Sequence, residues 1–372
     1  MTTILQPTDG LPEGIQPARI HLRPFSVLPF EQNRADYTLL ADMHNRIWPI
    51  EPLTPEIYAY FDNVRSQKYL FQRFILEVDG QAVGYANYQE NYWSYRPGKY
   101  NVSVDILPEH RGRGVGSYVY GQLMARLNAQ AIPPRLIESG THEDHEDGRR
   151  FLAKQGFDGP LMRWPLSKLD VQGFDASRFS RQVQGLADHG LRIYSYREVA
   201  QIDPDYQERF YELDWECTQD EPQPDAPTRI TFEEYVQRVF TGPAYLADGC
   251  FVAVDISRPD RRYAGLTQLY MDSGSLTHLG TGFTCVRRDY RRKGLAIALK
   301  VHAIEWAKAQ GTESILTGNE EHNPMYQINL KLGYQPQPAG LHYHKVIDPT
   351  ILDEIEVRSM ESIHASVAEA AA

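Results

Sequence analysis

The chain has 372 residues, with 38 Lys or Arg against 49 Asp or Glu, so its formal net charge is −11. Apolar residues at 42% and charged residues at 23% are ordinary globular values, which exclude wholesale disorder, and the length suggests two domains. The negative charge argues against nucleic acid or an anionic membrane as the main partner. Three scattered cysteines, no signal peptide and no 18-residue apolar run predict a cytoplasmic protein.

In chain order, the first half predicts a strand, two helices and a hairpin. The strand covers residues 20–23, and the second helix begins at Thr54-Pro55, which suit the N-cap and the first helical position. The hairpin turns at Asp79-Gly80. A further strand over residues 100–107 leads into a glycine-rich segment that opens a helix, and a short strand and a last helix follow.

The second half repeats these elements. Residues 111–116, the glycine-rich segment, are matched by residues 291–296, and the separation 291 − 111 = 180 is nearly half of the chain. Each segment is followed by a strand and a helix that ends in glycine and an aromatic, at Gly156-Phe157 and Gly333-Tyr334. We therefore predict a tandem duplication, in which each copy has the order β-α-α-β-β-β-α-β-α-β. The predicted boundaries are a first domain at 1–160, a connector at 161–189 without paired strands but with a helix near residues 176–186, a second domain at 190–348 and a helical tail at 349–372.

The glycine-rich segments have the properties of a pyrophosphate site. Glycine lets the backbone turn sharply from strand to helix and approach a ligand closely, and the free N–H groups of the first helical turn attract phosphate. A Rossmann fingerprint is excluded because neither segment is G-x-G-x-x-G, and a Walker A loop because Gly-Lys-Ser/Thr is absent. The alternative, a helix start that needs only a tight turn, explains two matched copies poorly.

Both segments fit the pattern Q/R-x-x-G-x-G/A, and the sequence thereby resembles the GNAT superfamily of acyl-CoA-dependent N-acyltransferases, in tandem form, over 20–160 and 190–347. The C-terminal half resembles the mycothiol-synthase-like members. The resemblance implies an α/β (α+β) fold of two domains, each a mixed, mostly antiparallel sheet flanked by helices. It also implies acetyl-CoA as co-substrate and a small-molecule amine as acceptor. The implied CoA-binding residues are Val104, Ile106, Arg111, Gly112, Arg113, Gly114, Val115, Gly116 and Ser117 in the first repeat, and Thr284, Val286, Arg291, Arg292, Lys293, Gly294, Leu295, Ala296 and Asn323 in the second.

The sequence departs from the family at the catalytic positions. Many members carry a tyrosine four residues before the glycine of the last helix, as proton donor to the CoA thiolate, and here Leu152 and Asn329 stand there. The second repeat keeps Asn323 and has Tyr326 in the same helix, so we expect it to be the catalytic copy with Tyr326 as acid; the alternative is a packing tyrosine. The candidate bases are Asp105 in the first repeat, whose parity on its strand opposes that of the CoA-facing positions, and Asp220, Asp272 and Glu320 in the second.

Three functions remain open from the sequence: a small-amine N-acetyltransferase, a non-catalytic acyl-CoA-binding or sensing protein, and a protein N-acetyltransferase. His142-x-x-His145 has metal-like residue types without further ligands at suitable spacing, so we expect a solvated loop and no metal ion. Aromatic residues before each hairpin, such as Trp48, either wall an acceptor pocket or pack against the sheet. The acceptor, the acyl chain length and the oligomeric state are left open.

Overall fold

The computed structural model describes residues 19–271, 273–359 and 361–363, which form two units. Of the described residues, the first unit contains those up to Arg163 together with Ala339–Glu356, and the second contains those of Trp164–Pro338 together with those from Val357. Each unit therefore includes residues from both sequence repeats. No helix among the described residues is long and apolar enough to span a lipid bilayer.

The two repeats contain the same succession of elements, with one helix added in the second. The first repeat contains β1 (Ile20–Pro24), α1 (Arg34–Ile47), α2 (Pro55–Asn63), β2 (Phe71–Val78), β3 (Gln81–Glu90), β4 (Lys99–Ile106), α3 (Val115–Asn128), β5 (Leu136–His142), α4 (Glu146–Lys154) and β6 (Asp158–Asp170). The second repeat contains β7 (Leu191–Ser195), α6 (Tyr196–Ile202), α7 (Tyr206–Thr218), α8 (Phe232–Phe240), β8 (Phe251–Asp255), β9 (Tyr263–Tyr270), β10 (His278–Val286), α9 (Leu295–Ala309), β11 (Ser314–Gly318), α10 (Pro324–Leu332) and β12 (Gln335–Val346), and α5 (Ser180–Gln184) lies between the repeats in sequence.

The sheet of the first unit has the strand order β1-β2-β3-β4-β5-β12, and only the pair β4-β5 is parallel. Residues Gly340–Val346 of β12 pair with β5, so the last strand of the chain completes this sheet. α3 packs on one face of the sheet with an apolar cluster that includes Val119 and Leu123. α1 and α2 pack on the other face around Tyr37 and Tyr85, which gives three layers.

The sheet of the second unit has the order β6-β11-β10-β9-β8-β7, and only β10-β11 is parallel. Both sheets are therefore mixed, mostly antiparallel and flanked by helices, which confirms the predicted fold class. α9 packs on one face, where Phe174 and Phe179 of the segment before β7 join its apolar cluster. α7 and α8 pack on the other face around Phe210 and Tyr235.

The expectation of a connector without paired strands at 161–189 is wrong. Leu166–Asp170 of β6 pairs antiparallel with β11. The helix expected near residues 176–186 is present as a 3-10 helix at Ala176–Phe179 and as α5. Because the partner strand of β6 lies about 150 residues further along the chain, local spacing could not reveal this pairing. α6 was also not predicted, although Ser195 and Glu198 form a capping box at its start. In the predicted helical tail, the structure has a short 3-10 helix at Pro349–Asp353, and residues 364–372 lie outside the described part.

Candidate active site

A cleft opens in the first unit where β4 and β5 diverge. Only Lys99–Asn101 of β4 pairs with β5, at Leu136–Glu138. At the next position the Ser139 hydroxyl donates to the Val102 carbonyl over 2.8 Å. Beyond this point the strands separate and leave a space of about 400 Å³, bounded by β4, β5, the first turn of α3 and the length of α4. A gap between two sheet strands leaves backbone groups unpaired, so it offers hydrogen bonds to an extended ligand.

The predicted glycine turn forms one wall of this cleft. Gly112 and Gly114 have φ of +72° and +80°, where a side chain would be strained, and Gly114 caps α3 without a side-chain hydrogen bond. The first N–H groups of α3 are therefore not capped by a side chain of residue 114. A Cβ at Gly116 would lie 3.2 Å from the Phe151 ring, so glycine permits the close approach of α3 and α4. Eight of the nine CoA-binding residues predicted in this repeat line the cleft. The ninth, Arg113, is exposed.

Asp105 lines the part of the cleft that faces α1 and α2. It pairs across the sheet with Tyr85, whose side chain belongs to the cluster under those helices, while the neighbouring Ile106 belongs to the cluster under α3. The alternation of the strand thus directs Asp105 away from the glycine turn. The Trp48 indole N–H donates to its carboxylate over 3.1 Å. Burial raises the pKa of Asp105 to about 6, although this hydrogen bond and the nearby Arg111 charge oppose the rise.

The loop between α1 and α2 is held rigidly over this end of the cleft. His44 bonds the Glu51 carbonyl at 3.0 Å and the Tyr85 hydroxyl at 3.0 Å, and Asn45 bonds both backbone groups of Leu53. Trp48, at the start of this loop, therefore has a fixed position beside Asp105.

The rings of His142 and His145 pack on Trp48, so the expectation of a solvated loop is wrong. The His145 ring stacks on Trp48 with centroids 4.7 Å apart and lines the cleft, and the His142 ring lies 4.8 Å from Trp48. Burial lowers the pKa of His145, which favours its neutral form. The sequence shows each part of this aromatic cluster, a Trp before a proline and two histidines at the end of a strand. It does not show that they meet, because Trp48 and the histidines lie nearly 100 residues apart.

The second repeat builds the same turn in different surroundings. Gly294 has a φ of +77° and caps α9, and Arg291 Nε donates to the Val286 carbonyl over 3.0 Å, as Arg111 Nε does to Ile106 over 2.8 Å. A Cβ at Gly294 would lie 3.1 Å from Gln182 Cγ, so α5 contacts this turn.

The arginines of the two turns also differ in their partners. Arg291 is ion-paired with Asp220, whereas Arg111 makes no ion pair with any described residue. Among the described residues, therefore, the charge of Arg111 has no carboxylate partner, whereas the charge of Arg291 is neutralised by Asp220.

Residues 37–157 and 207–334 each match the family model described as "Acetyltransferase (GNAT) family", together more than half of the chain. The chain belongs to the GNAT family. A search among curated proteins finds no match.

Solved structures share this GNAT fold at low sequence identity. A tandem GNAT protein from the clavulanic acid biosynthesis pathway, without acetyl-CoA, is 16% identical with a TM-score of 0.62 and covers 88% of this chain and 98% of its own. A GCN5-related N-acetyltransferase from Sphaerobacter thermophilus is 14% identical with a TM-score of 0.61 and covers 90% and 97%. Saccharomyces cerevisiae N-myristoyltransferase with bound myristoyl-CoA is 11% identical with a TM-score of 0.54 and covers 91% and 86%. These likenesses show the fold alone.

The catalytic candidates of the second GNAT repeat that the structure describes differ in the contacts they make. Asp220 is bound by Arg288 and Arg291, and these two outweigh burial and lower its pKa, so it takes up a proton poorly. Glu320 accepts from the backbone N–H of His322 and pairs with the ring of that residue at 2.8 Å. The oxygens of Glu320 and Glu321 and a His322 nitrogen lie within 4.8 Å of one another, a grouping common on acidic surfaces.

The predicted CoA contact Asn323 and acid Tyr326 stand at the start of α10. The Asn323 side chain accepts from the Met325 N–H over 2.9 Å, so it caps the helix. Tyr326 is half-buried in the first turn of the same helix. The remaining candidate base, Asp272, lies outside the described residues.

The other predicted CoA-binding residues of the second repeat contact protein to different extents. The Thr284 hydroxyl bonds that of Thr267 at 2.8 Å, and Lys293 Nζ lies 4.9 Å from the centre of the Tyr290 ring. Val286 and Leu295 are buried in the apolar cluster beneath α9, which Ala296 joins at its edge, and Arg292 is exposed. Cys285 occupies the strand position that corresponds to Asp105, and it is buried among apolar side chains. The second repeat therefore lacks a carboxylate at the end of β10.

Proposed function

We propose that this protein transfers an acyl group, acetyl in the simplest case, from acyl-CoA to the primary amine of a small molecule, by direct attack of the amine. We further propose that the first repeat is the catalytic copy, against the expectation from the sequence. The observation that supports this assignment is the cleft of the first repeat, which is bounded by the glycine turn at one end and by Asp105 at the other.

The first repeat fits an acyl-CoA molecule by its donor groups. The pyrophosphate would be held by the backbone N–H groups of Val115, Gly116 and Ser117 at the start of α3. The positive charge of Arg111 beside this turn would also attract it. The diverging edge of β4 at Val104 and Ile106 would bond the pantetheine arm. When bound, acyl-CoA supplies an acyl group activated as a thioester.

Asp105 suits the task of removing the amine proton. A carboxyl group whose pKa is about 6 is ionised at neutral pH and still basic enough to accept a proton. Trp48 holds the carboxylate by its N–H, and Trp48 is held in turn by the rigid α1–α2 loop and the His145 ring. The acceptor would enter on the α1–α2 side, because Asp105 faces that side of the sheet.

A non-catalytic acyl-CoA-binding or sensing protein is the second candidate function, and one observation favours it. The family tyrosine is replaced by the buried Leu152 in α4, and an apolar side chain donates no proton to a departing thiolate. Such a protein would have the same cleft and would bind acyl-CoA without turnover.

The test is acetyl-CoA consumption by the full chain against a panel of small primary amines and a lysine-containing peptide mixture. We expect turnover with at least one small amine and its loss in Asp105→Asn. Binding of acetyl-CoA without turnover on any acceptor would favour the sensing protein, and turnover on peptides alone would favour a protein N-acetyltransferase.

A further inference from the structure

The cleft of the first repeat has a closed end where β4 and β5 join. The residues that line the cleft begin at Ser103 on β4 and at Ser139 on β5, and they continue from there towards the glycine turn. Immediately before them, Asn101 and Glu138 form the last pair of the ladder that the two strands share. The cleft therefore ends at Ser139.

The Ser139 side chain forms this closed end. It is 8% exposed, and its hydroxyl donates to the Val102 carbonyl over 2.8 Å. A hydroxyl that donates to a backbone carbonyl replaces a ladder bond that diverging strands no longer make. The bond from Ser139 to Val102 therefore extends the junction of the two strands by one residue.

The α3 face of the sheet is filled beside this closed end. Tyr100, Val102 and Ile137 are 0–2% exposed, and they belong to the same apolar cluster as Val119 of α3. Protein interiors are packed as densely as organic crystals and have few voids that would hold a further methylene group. A ligand chain that passed under α3 would have to displace these core side chains.

The α1–α2 face carries polar side chains at the same level. Because side chains alternate along a strand, Ser103 and Glu138 face the same side of the sheet as Asp105. Asn87 Nδ2 donates to Ser103 Oγ over 2.8 Å, and Asn91 Nδ2 donates to the buried Glu138 carboxylate over 2.6 Å. A hydrocarbon chain laid over these groups would remove water from them without offering a hydrogen bond, which is unfavourable.

We propose that Ser139 limits the acyl chain that this protein accepts to about two or three carbons. The inference rests on the proposed acyl-CoA site, in which the pantetheine arm would bond β4 at Ile106 and then at Val104. The arm then runs from the glycine turn towards the closed end, and the thioester lies beside Ser103. One residue of β4 separates Ser103 from the bond between Val102 and Ser139, a rise of about 3.3 Å that holds about two C–C bonds.

The experiment is calorimetric titration of the full chain with acetyl-CoA, butyryl-CoA and hexanoyl-CoA, without an acceptor. In a site that is open beyond the thioester, each added methylene would strengthen binding about fourfold, because burial of apolar surface is favourable. We expect the reverse order in the wild type. Butyryl-CoA should bind about tenfold more weakly than acetyl-CoA, since overpacking is costly, and hexanoyl-CoA should bind more weakly still.

Two substitutions of Ser139 test its role. Ser139→Ala removes the hydrogen bond to Val102, so the strands should separate one residue earlier and the limit should rise by about two carbons. Butyryl-CoA should then bind at least as tightly as acetyl-CoA, while hexanoyl-CoA stays the weakest. Ser139→Thr keeps a hydroxyl donor and should keep the wild-type order. A merely structural role of Ser139 would lower the melting temperature without changing the ratio of these affinities.

Thr38→Ala is the matched control. Thr38 Oγ1 also donates to a backbone carbonyl, that of Arg34, over 2.8 Å, but it is exposed on α1. Its removal should leave the three affinities unchanged.

The outcomes separate this proposal from the proposed function. Equal or tighter binding of butyryl-CoA in the wild type would overturn the limit, and this order decides alone if Ser139→Ala fails to fold. An unchanged ratio in a folded Ser139→Ala variant would overturn the role of Ser139. Binding of no thioester would overturn the acyl-CoA site itself, and the limit with it. Normal binding without turnover on any amine would contradict acyl transfer and leave the limit intact.

Discussion

The two repeats differ most at the glycine turn and at the end of the strand before it. In the first repeat the turn borders an open cleft, Arg111 makes no ion pair with a described residue, and Asp105 is the second-last residue of β4. In the second repeat α5 contacts the turn at Gly294, and Asp220 pairs with Arg291. The comparison shows that the glycine motif determines the local backbone conformation. Whether a ligand can reach that backbone depends on segments far away in sequence, such as α5 and Asp220.

The largest effect that distinguishes the repeats is expected for Asp105→Asn. The amide is isosteric but cannot accept the amine proton, so kcat should fall by about 10²–10⁴-fold while acetyl-CoA still binds. Steady-state kinetics and calorimetry measure the two quantities. Asp42→Asn, an exposed aspartate of α1, is the control and should keep full activity. Unchanged turnover in Asp105→Asn would contradict the assignment of the base to the first repeat.

A smaller effect is expected for Trp48→Phe, which removes the hydrogen bond to Asp105. Since the ionised carboxylate is the active form, the wild-type rate should rise with pH and level off above about 6. Loss of the indole N–H removes a contact that favours the ionised form, so this limb should move to higher pH by roughly 0.5–1 unit. The pH profile of kcat/KM measures the shift, and a profile that stays in place would show that Trp48 does not act through Asp105.

The smallest effect concerns the backbone of the two turns. Arg292 has a φ of +63° at the position where the first repeat has Gly112, with a φ of +72°. A side chain in this conformation costs about 1 kcal/mol, so Gly112→Ala should lower the free energy of unfolding by about that amount. Arg292→Gly should raise it by about 0.5 kcal/mol. Urea unfolding measures both changes, and a matching sign in the two variants would refute the comparison.

Much of the fold could be predicted from the sequence because it depends on local signals. The glycine segments, the hairpin at Asp79-Gly80 and the matched order of elements identify two copies of one GNAT unit. The completion of the first sheet by Gly340–Val346 could not be predicted, since both halves of the chain contain a suitable last strand and local patterns do not choose between them.

The candidate site could be predicted only on the side of the glycine turn. Arg111 and Gly114 belong to one short motif, and both line the cleft. The contact between Trp48 and Asp105 joins residues 57 positions apart, and no local pattern predicts it.

Calorimetric titration of the full chain with acetyl-CoA tests most directly whether the first repeat is the acyl-CoA site. The account predicts one tight site per chain, which Gly114→Glu abolishes because a carboxylate repels the phosphates and a side chain strains a φ of +80°. Gly294→Glu carries the matched change in the second repeat and should keep that site, with thermal melts confirming that both variants fold. Two equal sites in the wild type, or loss of binding in Gly294→Glu but not in Gly114→Glu, would contradict the account.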